Sequence, residues 1–225
     1  KEKGIVVVNA PGANAESVAE HVFAFILALA RNLVSTVNTL RSGTWAKSDF
    51  RGIELMGKTL GVVGLGHIGK RVAAIAHAFG MEVLVYTRTN VEKEHSVSLD
   101  ELLAASDIVS LHIPLTGETR GMVGAKEFGK MKKTAYLVNT ARGAIVDEAA
   151  LIDALKHGTI AGAALDVHTT EPLPKESELL KLPNVILTPH VAADSSEGEN
   201  RASLMIAEDI DRVLKGEKPL RPTNL

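Results

Sequence analysis

The chain has no cysteine. That excludes disulfides, thiolate catalysis and Cys-based zinc sites, and it points to a reducing compartment, read here as the cytoplasm. Aromatics make up only 4% of the 225 residues, too few for the stacking platforms that grip single-stranded nucleic acid. Neither sign of charge dominates: 25 Lys and Arg stand against 27 Asp and Glu. Nucleic acid and anionic membrane both demand a basic excess, so neither is an expected partner. Long apolar runs are also missing. The longest, Val22 to Ala30, lies between His21 and Arg31 and falls far short of the roughly 20 residues that cross a bilayer. The opening Lys1-Glu2-Lys3-Gly4 has no apolar core of the signal-peptide kind. It also has no Met, so a preceding segment is expected.

What is present is ordinary for a globular fold, with 45% hydrophobic and 23% charged residues. Short apolar segments recur: Ile5–Val8, Leu60–Val63, Glu82–Tyr86, Ile108–His112, Ala135–Asn139, Ala161–Asp166 and Val185–Leu187. From the second onward they stand about one strand plus one crossover helix apart. Their Val, Ile and Leu do not alternate with polar residues, which suits strands covered on both faces. Helices are predicted between them: Lys70–Phe79, Leu99–Ala105 after a Ser98 cap, and Glu148–Lys156 after Asp147. This alternation predicts an α/β fold with a doubly wound parallel sheet. Two further helices fall outside the rhythm. Ala15 to Asn32, behind an Asn14 cap, is apolar nearly all round and must be buried. Arg201–Lys215 is amphipathic, with Ala202, Met205, Ile206, Ile210 and Val213 on one side.

Gly64-Leu65-Gly66-His67-Ile68-Gly69 follows a strand and opens a helix. In that setting the spacing is a dinucleotide-binding signature. Gly64 permits the tight turn, Gly66 admits a pyrophosphate to the backbone, and Gly69 lets helix and strand approach. The amides of the helix N-terminus then face the anion. An NAD site usually carries a carboxylate at the end of the next strand to bond the ribose 2′-hydroxyl. Here that place holds Thr87 and Arg88. A hydroxyl and a guanidinium suit a 2′-phosphate, so NADP is the expected preference, with NAD the alternative.

Three polar residues follow predicted strand ends: Arg142 after Asn139, Glu171 after Asp166, and His190 after Thr188-Pro189. In an open α/β sheet the ligand crevice lies beyond those ends. An Arg grips a carboxylate with two parallel hydrogen bonds. A His exchanges protons near neutral pH, and a Glu beside it favours the imidazolium. Together these are the parts for reducing a 2-oxo acid.

The ordered motifs resemble the D-isomer-specific 2-hydroxyacid dehydrogenase family, of glyoxylate/hydroxypyruvate reductase or phosphoglycerate dehydrogenase type. They are Asn9 to Asn14, Ser17 to His21, Gly64 to Gly69, His112 to Thr116, Asn139 to Gly143, Ala164 to Pro172 and Thr188 to Ala192, spanning nearly the whole chain. The resemblance implies Arg142, Glu171 and His190 as the catalytic residues. It implies that the backbone at His67 and Ile68 holds the pyrophosphate, that Ile113 and Pro114 line the cofactor cleft, with Thr119 nearby, and that Thr140, Ala141, Asp166 and Ala192 flank the nicotinamide, Asp166 reaching its carboxamide. By the same resemblance the helix over 15–32 packs across a homodimer axis. Residues 1–195 correspond to a dinucleotide-binding domain, and 196–225 to a C-terminal helix that completes a substrate domain built from residues preceding this stretch. The chain is therefore expected to bind cofactor and to turn over poorly alone. Glu171 sets it apart from the similar formate dehydrogenases, which carry Gln there. A cofactor-sensing corepressor on the same fold is the alternative.

The remaining histidines have simpler readings: His21 in the core or an interface, His112 beside the cleft, and His77, His95 and His157 in solvent. His168 lacks the neighbours of a metal site, and no metal is expected.

Overall fold

The computed structural model describes residues 5–87 and 95–223. They form a seven-stranded sheet in which all neighbours are parallel. The strands are β1 (Thr59–Val63), β2 (Glu82–Tyr86), β3 (His95–Ser96), β4 (Ile108–Leu111), β5 (Tyr136–Asn139), β6 (Gly162–Leu165) and β7 (Val185–Leu187). Their order is β3-β2-β1-β4-β5-β6-β7. The chain winds outward from β1 to β3, then returns to add β4 on the other side of β1. The strand order reverses between β1 and β4, and a crevice opens at their carboxyl ends.

The central strands β1, β4, β5 and β6 are buried on both faces, as their unbroken apolar runs predict, whereas β2 and β7 are partly covered and β3 is exposed. On one face α1 (Ala15–Ala30) and α3 (His67–Ala78) meet the sheet through Val22, Ile26, Val72 and Ala76, packed with Val62, Val85 and Val138. On the other, α4 (Leu99–Ala105), α5 (Ala125–Phe128) and α6 (Glu148–Lys156) bring Leu102, Phe128 and Leu151 onto Val63, Leu111 and Leu137. Adjacent residues such as Val62 and Val63 thus serve opposite layers, following the two-residue period of a strand. Ser98 caps α4 in a reciprocal capping box with Glu101, and the Asp147 side chain accepts the Ala150 amide to start α6.

Several elements depart from the sequence reading. Ile5–Val8 does not join the sheet; Val8 makes one antiparallel bridge to Pro222, and the Thr223 amide donates to the Val7 carbonyl. The helix predicted over 15–32 stops at Ala30, because Asn32 turns left-handed at φ 51°. A second helix, α2 (Leu33–Arg41), restarts there, bent by 63° from the first. Asn14 makes no side-chain cap bond. The last helix, α7 (Ser196–Leu214), begins five residues before Arg201, because the Ser195 hydroxyl caps the Gly198 amide. Ala202, Met205 and Ile206 are half-buried on it, whereas Ile210 and Val213 are exposed. The two-residue β3 and the one-turn α5 are too short to show a period.

Most of α1's apolar surface is covered within the chain, against α3, β5, β6 and α7. Its all-round apolarity is therefore accounted for without a partner. α2 is different, for none of its residues is buried. Among the described residues no single helix is long and apolar enough to cross a membrane.

Candidate functional site

The carboxyl edge of the sheet gathers the glycine loop and the three polar residues. Gly64 leaves β1 at φ +99°, a left-handed conformation that favours glycine. A Cβ there would stand 2.7 Å from the His112 carbonyl oxygen, across the strand reversal. A Cβ on Gly69 would fall on the Gly64 carbonyl oxygen, so α3 can approach the loop only with glycine there. Gly66 has nothing within 4 Å of its Cβ position. That is open space at a helix N-terminus, the cradle a pyrophosphate needs. Beside it lies a cavity of about 340 Å³ lined by Gly64, Gly66, Thr87, Ile113, Pro114 and Thr119, with Tyr86 and Met122. The Thr119 hydroxyl donates to the Pro114 carbonyl and accepts the Thr116 amide, closing that wall. His67, Ile68 and Gly69 form the first turn of α3. Arg88 lies outside the described residues, so the 2′-position is represented by Thr87 alone. His112 bonds Ser110 Oγ at 2.8 Å, and burial pushes its imidazole down to about 4. It stays neutral at physiological pH.

Arg142, Glu171 and His190 follow the adjacent strands β5, β6 and β7. Two of them touch: His190 Nδ1 lies 2.8 Å from Glu171 Oε2. The other Glu171 oxygen accepts the His168 amide at 2.9 Å. That amide first, and His190 second, hold the Glu171 carboxyl below the usual carboxylate range. An ionised Glu171 accepts from Nδ1–H, which leaves Nε2 on the side of the ring away from Glu171. His190 adopts φ 60°, rare for a non-glycine residue and a mark of a backbone held by its surroundings. Arg142 stands exposed, and its loop is fixed by Asn139. The buried Asn139 side chain accepts the Ala141 amide and donates to the Arg142 carbonyl, both at 3.0 Å. Thr140, next in line, is buried, and its hydroxyl has no partner among the described residues.

Asp166 has a role that spacing alone did not reveal. It is 1% exposed. Its Oδ1 accepts the Thr188 hydroxyl and the Val191 amide, and Oδ2 accepts the Ala192 amide at 2.8 Å. It therefore pins the chain on both sides of His190. His21 reaches this cluster from α1, with Nε2 3.4 Å from Thr188 Oγ1 and its ring edge-on to Phe25. Among the described residues no group of three or more acidic or histidine side chains is arranged to hold a metal ion.

Residues 23–192 match the family model described as D-isomer specific 2-hydroxyacid dehydrogenase, NAD binding domain. The chain is 46% identical over 231 residues to a D-3-phosphoglycerate dehydrogenase of Archaeoglobus fulgidus, covering all of this chain and 44% of that protein. It is 45% identical over 228 residues to a glyoxylate reductase of Korarchaeum cryptofilum, covering 97% of this chain and 69% of that one. A solved acyclic imino acid reductase in complex with NADPH and D-Arg superposes with a TM-score of 0.91 at 37% identity, over 99% of this chain and 72% of its own. The chain thus spans less than half the length of the first of these relatives.

Asp166 supplies a test of the anchor. Burial pushes its carboxyl up, but the Thr188 hydroxyl and the Ala192 and Val191 amides outweigh that and leave it below its ordinary value of 3.8. The folded state then binds fewer protons than the unfolded one, and Asp166 stabilises the fold above about pH 4. That contribution disappears as pH falls through the folded value. Asp166→Asn is expected to lower the urea midpoint at pH 7 and to flatten this part of the acid limb. A midpoint unchanged at every pH would show that the carboxylate anchors nothing.

Proposed function

Since the chain belongs to the D-isomer specific 2-hydroxyacid dehydrogenase family through its NAD-binding domain, we propose that its cleft serves hydride transfer between a nicotinamide cofactor and a D-2-hydroxy acid or its 2-oxo acid. The observation that carries this is the Glu171–His190 pair, 2.8 Å apart, on the same sheet edge as the glycine loop. In the reducing direction a 2-oxo acid, NAD(P)H and a proton give the hydroxy acid and NAD(P)⁺. The bound cofactor supplies the hydride that reaches C2.

The chain's own residues do the rest. Arg142 binds the substrate carboxylate by paired hydrogen bonds and polarises the 2-oxo group. His190, as imidazolium, gives the Nε2 proton to the oxygen at C2 as negative charge develops there. Glu171 keeps the Nδ1–H of that ring engaged, so the ring presents Nε2 outward. In the oxidising direction His190 takes the same proton back. The amides of the first α3 turn, beside Gly66, would hold the pyrophosphate, Ile113 and Pro114 would line the cofactor cleft, and the Thr140 hydroxyl, Ala141, Asp166 and Ala192 would flank the nicotinamide. Residues 1–195 act as the dinucleotide-binding domain, and α7 offers its exposed Leu204, Ile210 and Leu214 to a substrate domain.

NADPH is the proposed preference, because β2 is followed by Thr87 and Arg88 rather than by a carboxylate that would repel a 2′-phosphate. Homodimerisation is proposed through the helix read over 15–32 together with its continuation α2, where Leu27, Leu33, Val34, Val37 and Leu40 are all exposed. So large an unpartnered apolar strip is a liability in a monomer.

Three outcomes follow. His190→Ala lowers turnover of the 2-oxo acid by about 10²–10⁴ and leaves cofactor affinity intact; undiminished turnover would remove His190 from the reaction. In fluorescence titrations NADPH binds at least about tenfold tighter than NADH, some 1.4 kcal/mol, and equal affinities would contradict the Thr87 reading. Sedimentation velocity returns twice the chain mass, and Leu40→Glu shifts it toward the monomer. A monomeric wild type would refute the proposed interface.

A further inference from the structure

We infer that His168, which takes no part in the chemistry above, is the positioning residue that locks the Arg142, Glu171 and His190 loops into one unit. The inference rests on the proposed acid–base role of Glu171 and His190. His168 lies two residues beyond Asp166 and is 9% exposed. It meets each of the three loops through a different group.

Its backbone N–H donates to Glu171 Oε1 at 2.9 Å, while Glu171 Oε2 is engaged by His190. The carboxylate is thus held at both ends, by His168 and by the catalytic ring. Its side chain crosses to β7: Nε2 lies 2.9 Å from the Thr188 carbonyl oxygen. A carbonyl can only accept, so the ring hydrogen sits on Nε2. Nδ1 is buried with no partner among the described residues, which leaves this one bond as the ring's polar anchor. Thr188 stands two residues before His190, and its own hydroxyl is tied to Asp166. The backbone of His168 meets the third loop. A Cβ on Gly143 would fall on the His168 carbonyl group, so the chain directly after Arg142 is seated against it.

One residue therefore sets the distance between the Glu171 and His190 backbones and provides the floor for the Arg142 turn. Small displacements between reacting groups are costly: about 1 Å can remove a hundredfold in rate. A residue whose backbone N–H holds one of these loops and whose buried imidazole holds another is a direct way to limit such displacement. Packing alone would not require a nitrogen at this point.

Three variants keep the backbone N–H and change only the bridge. H168Q carries an amide nitrogen as many bonds from Cβ as Nε2. H168N is one methylene shorter and cannot reach Thr188. H168F keeps a planar aromatic ring, somewhat larger than imidazole, and removes the donor. The first readout needs no turnover: the proton spectrum of ring-¹⁵N-histidine-labelled chain, followed at the His190 Nδ1–H that faces Glu171. This signal is expected in the wild type and in H168Q, and is expected to be broadened or lost in H168N and H168F. The second readout is 2-oxo acid reduction by the native protein. There, kcat is expected to fall about tenfold in H168N and H168F with KM nearly constant, and to stay within about threefold in H168Q. A His190 signal that survives in H168N and H168F, or is lost equally in H168Q, overturns the role of His168. If the wild type reduces no 2-oxo acid, the proposed function fails, while the spectra still decide whether His168 positions the pair.

Discussion

The Asp166 carboxylate is the fixed point of the site. It is buried at the carboxyl end of β6 and ionised, and it is satisfied by one hydroxyl and two backbone amides from the chain around His190. A buried charge is tolerated only when such partners surround it. The partners are held in turn, because releasing them would leave that charge unpaired. The left-handed backbone of His190 persists for this reason. Glu171, five residues beyond Asp166, then meets a ring whose position is already set. Rigid strands and short, doubly anchored loops replace the long-range order that a flexible site would have to gain on binding.

The cofactor half of the cleft depends on a different constraint, the reversal of strand order between β1 and β4. It brings Gly64 and His112 close together, while the approach of α3 to the same loop leaves no room for a side chain at Gly69. The glycines of this loop therefore act in different ways. Two are demanded by the protein's own packing. Gly66, with open space before it, is demanded only by a ligand. That contrast supports a bound pyrophosphate more strongly than the motif does alone, since a turn built for packing would have no use for the empty position.

Much of this was legible in the sequence. The strands read as unbroken Val, Ile and Leu runs because parallel strands are covered on both faces. Ser98 and Asp147 marked their helices because a cap is local chemistry. Elements without a local signal were missed. Arg31 and Asn32 interrupt the apolar run between α1 and α2, but a tolerance of Asn for the left-handed region is too weak a local signal to mark the break. The two residues of β3 carry no period. Ile5–Val8 has strand-like composition yet pairs with the C-terminal segment. Arg142, Glu171 and His190 could be named from their places after strands. The anchoring roles of Asp166 and His168 could not, because their partners lie about twenty residues away, on the next strand and the turn after it. The apolarity of α1 was legible; what covers it was a tertiary fact, and most of the cover is the chain itself.

The central claim is that one edge of the sheet brings a nicotinamide cofactor to the Glu171–His190 pair. A crystal structure of this chain grown with NADPH tests it most directly. The account predicts pyrophosphate density against Gly66 and the first turn of α3, and a nicotinamide ring between the Arg142 and His190 loops. Density elsewhere, or a cofactor whose nicotinamide points away from His190, would contradict it.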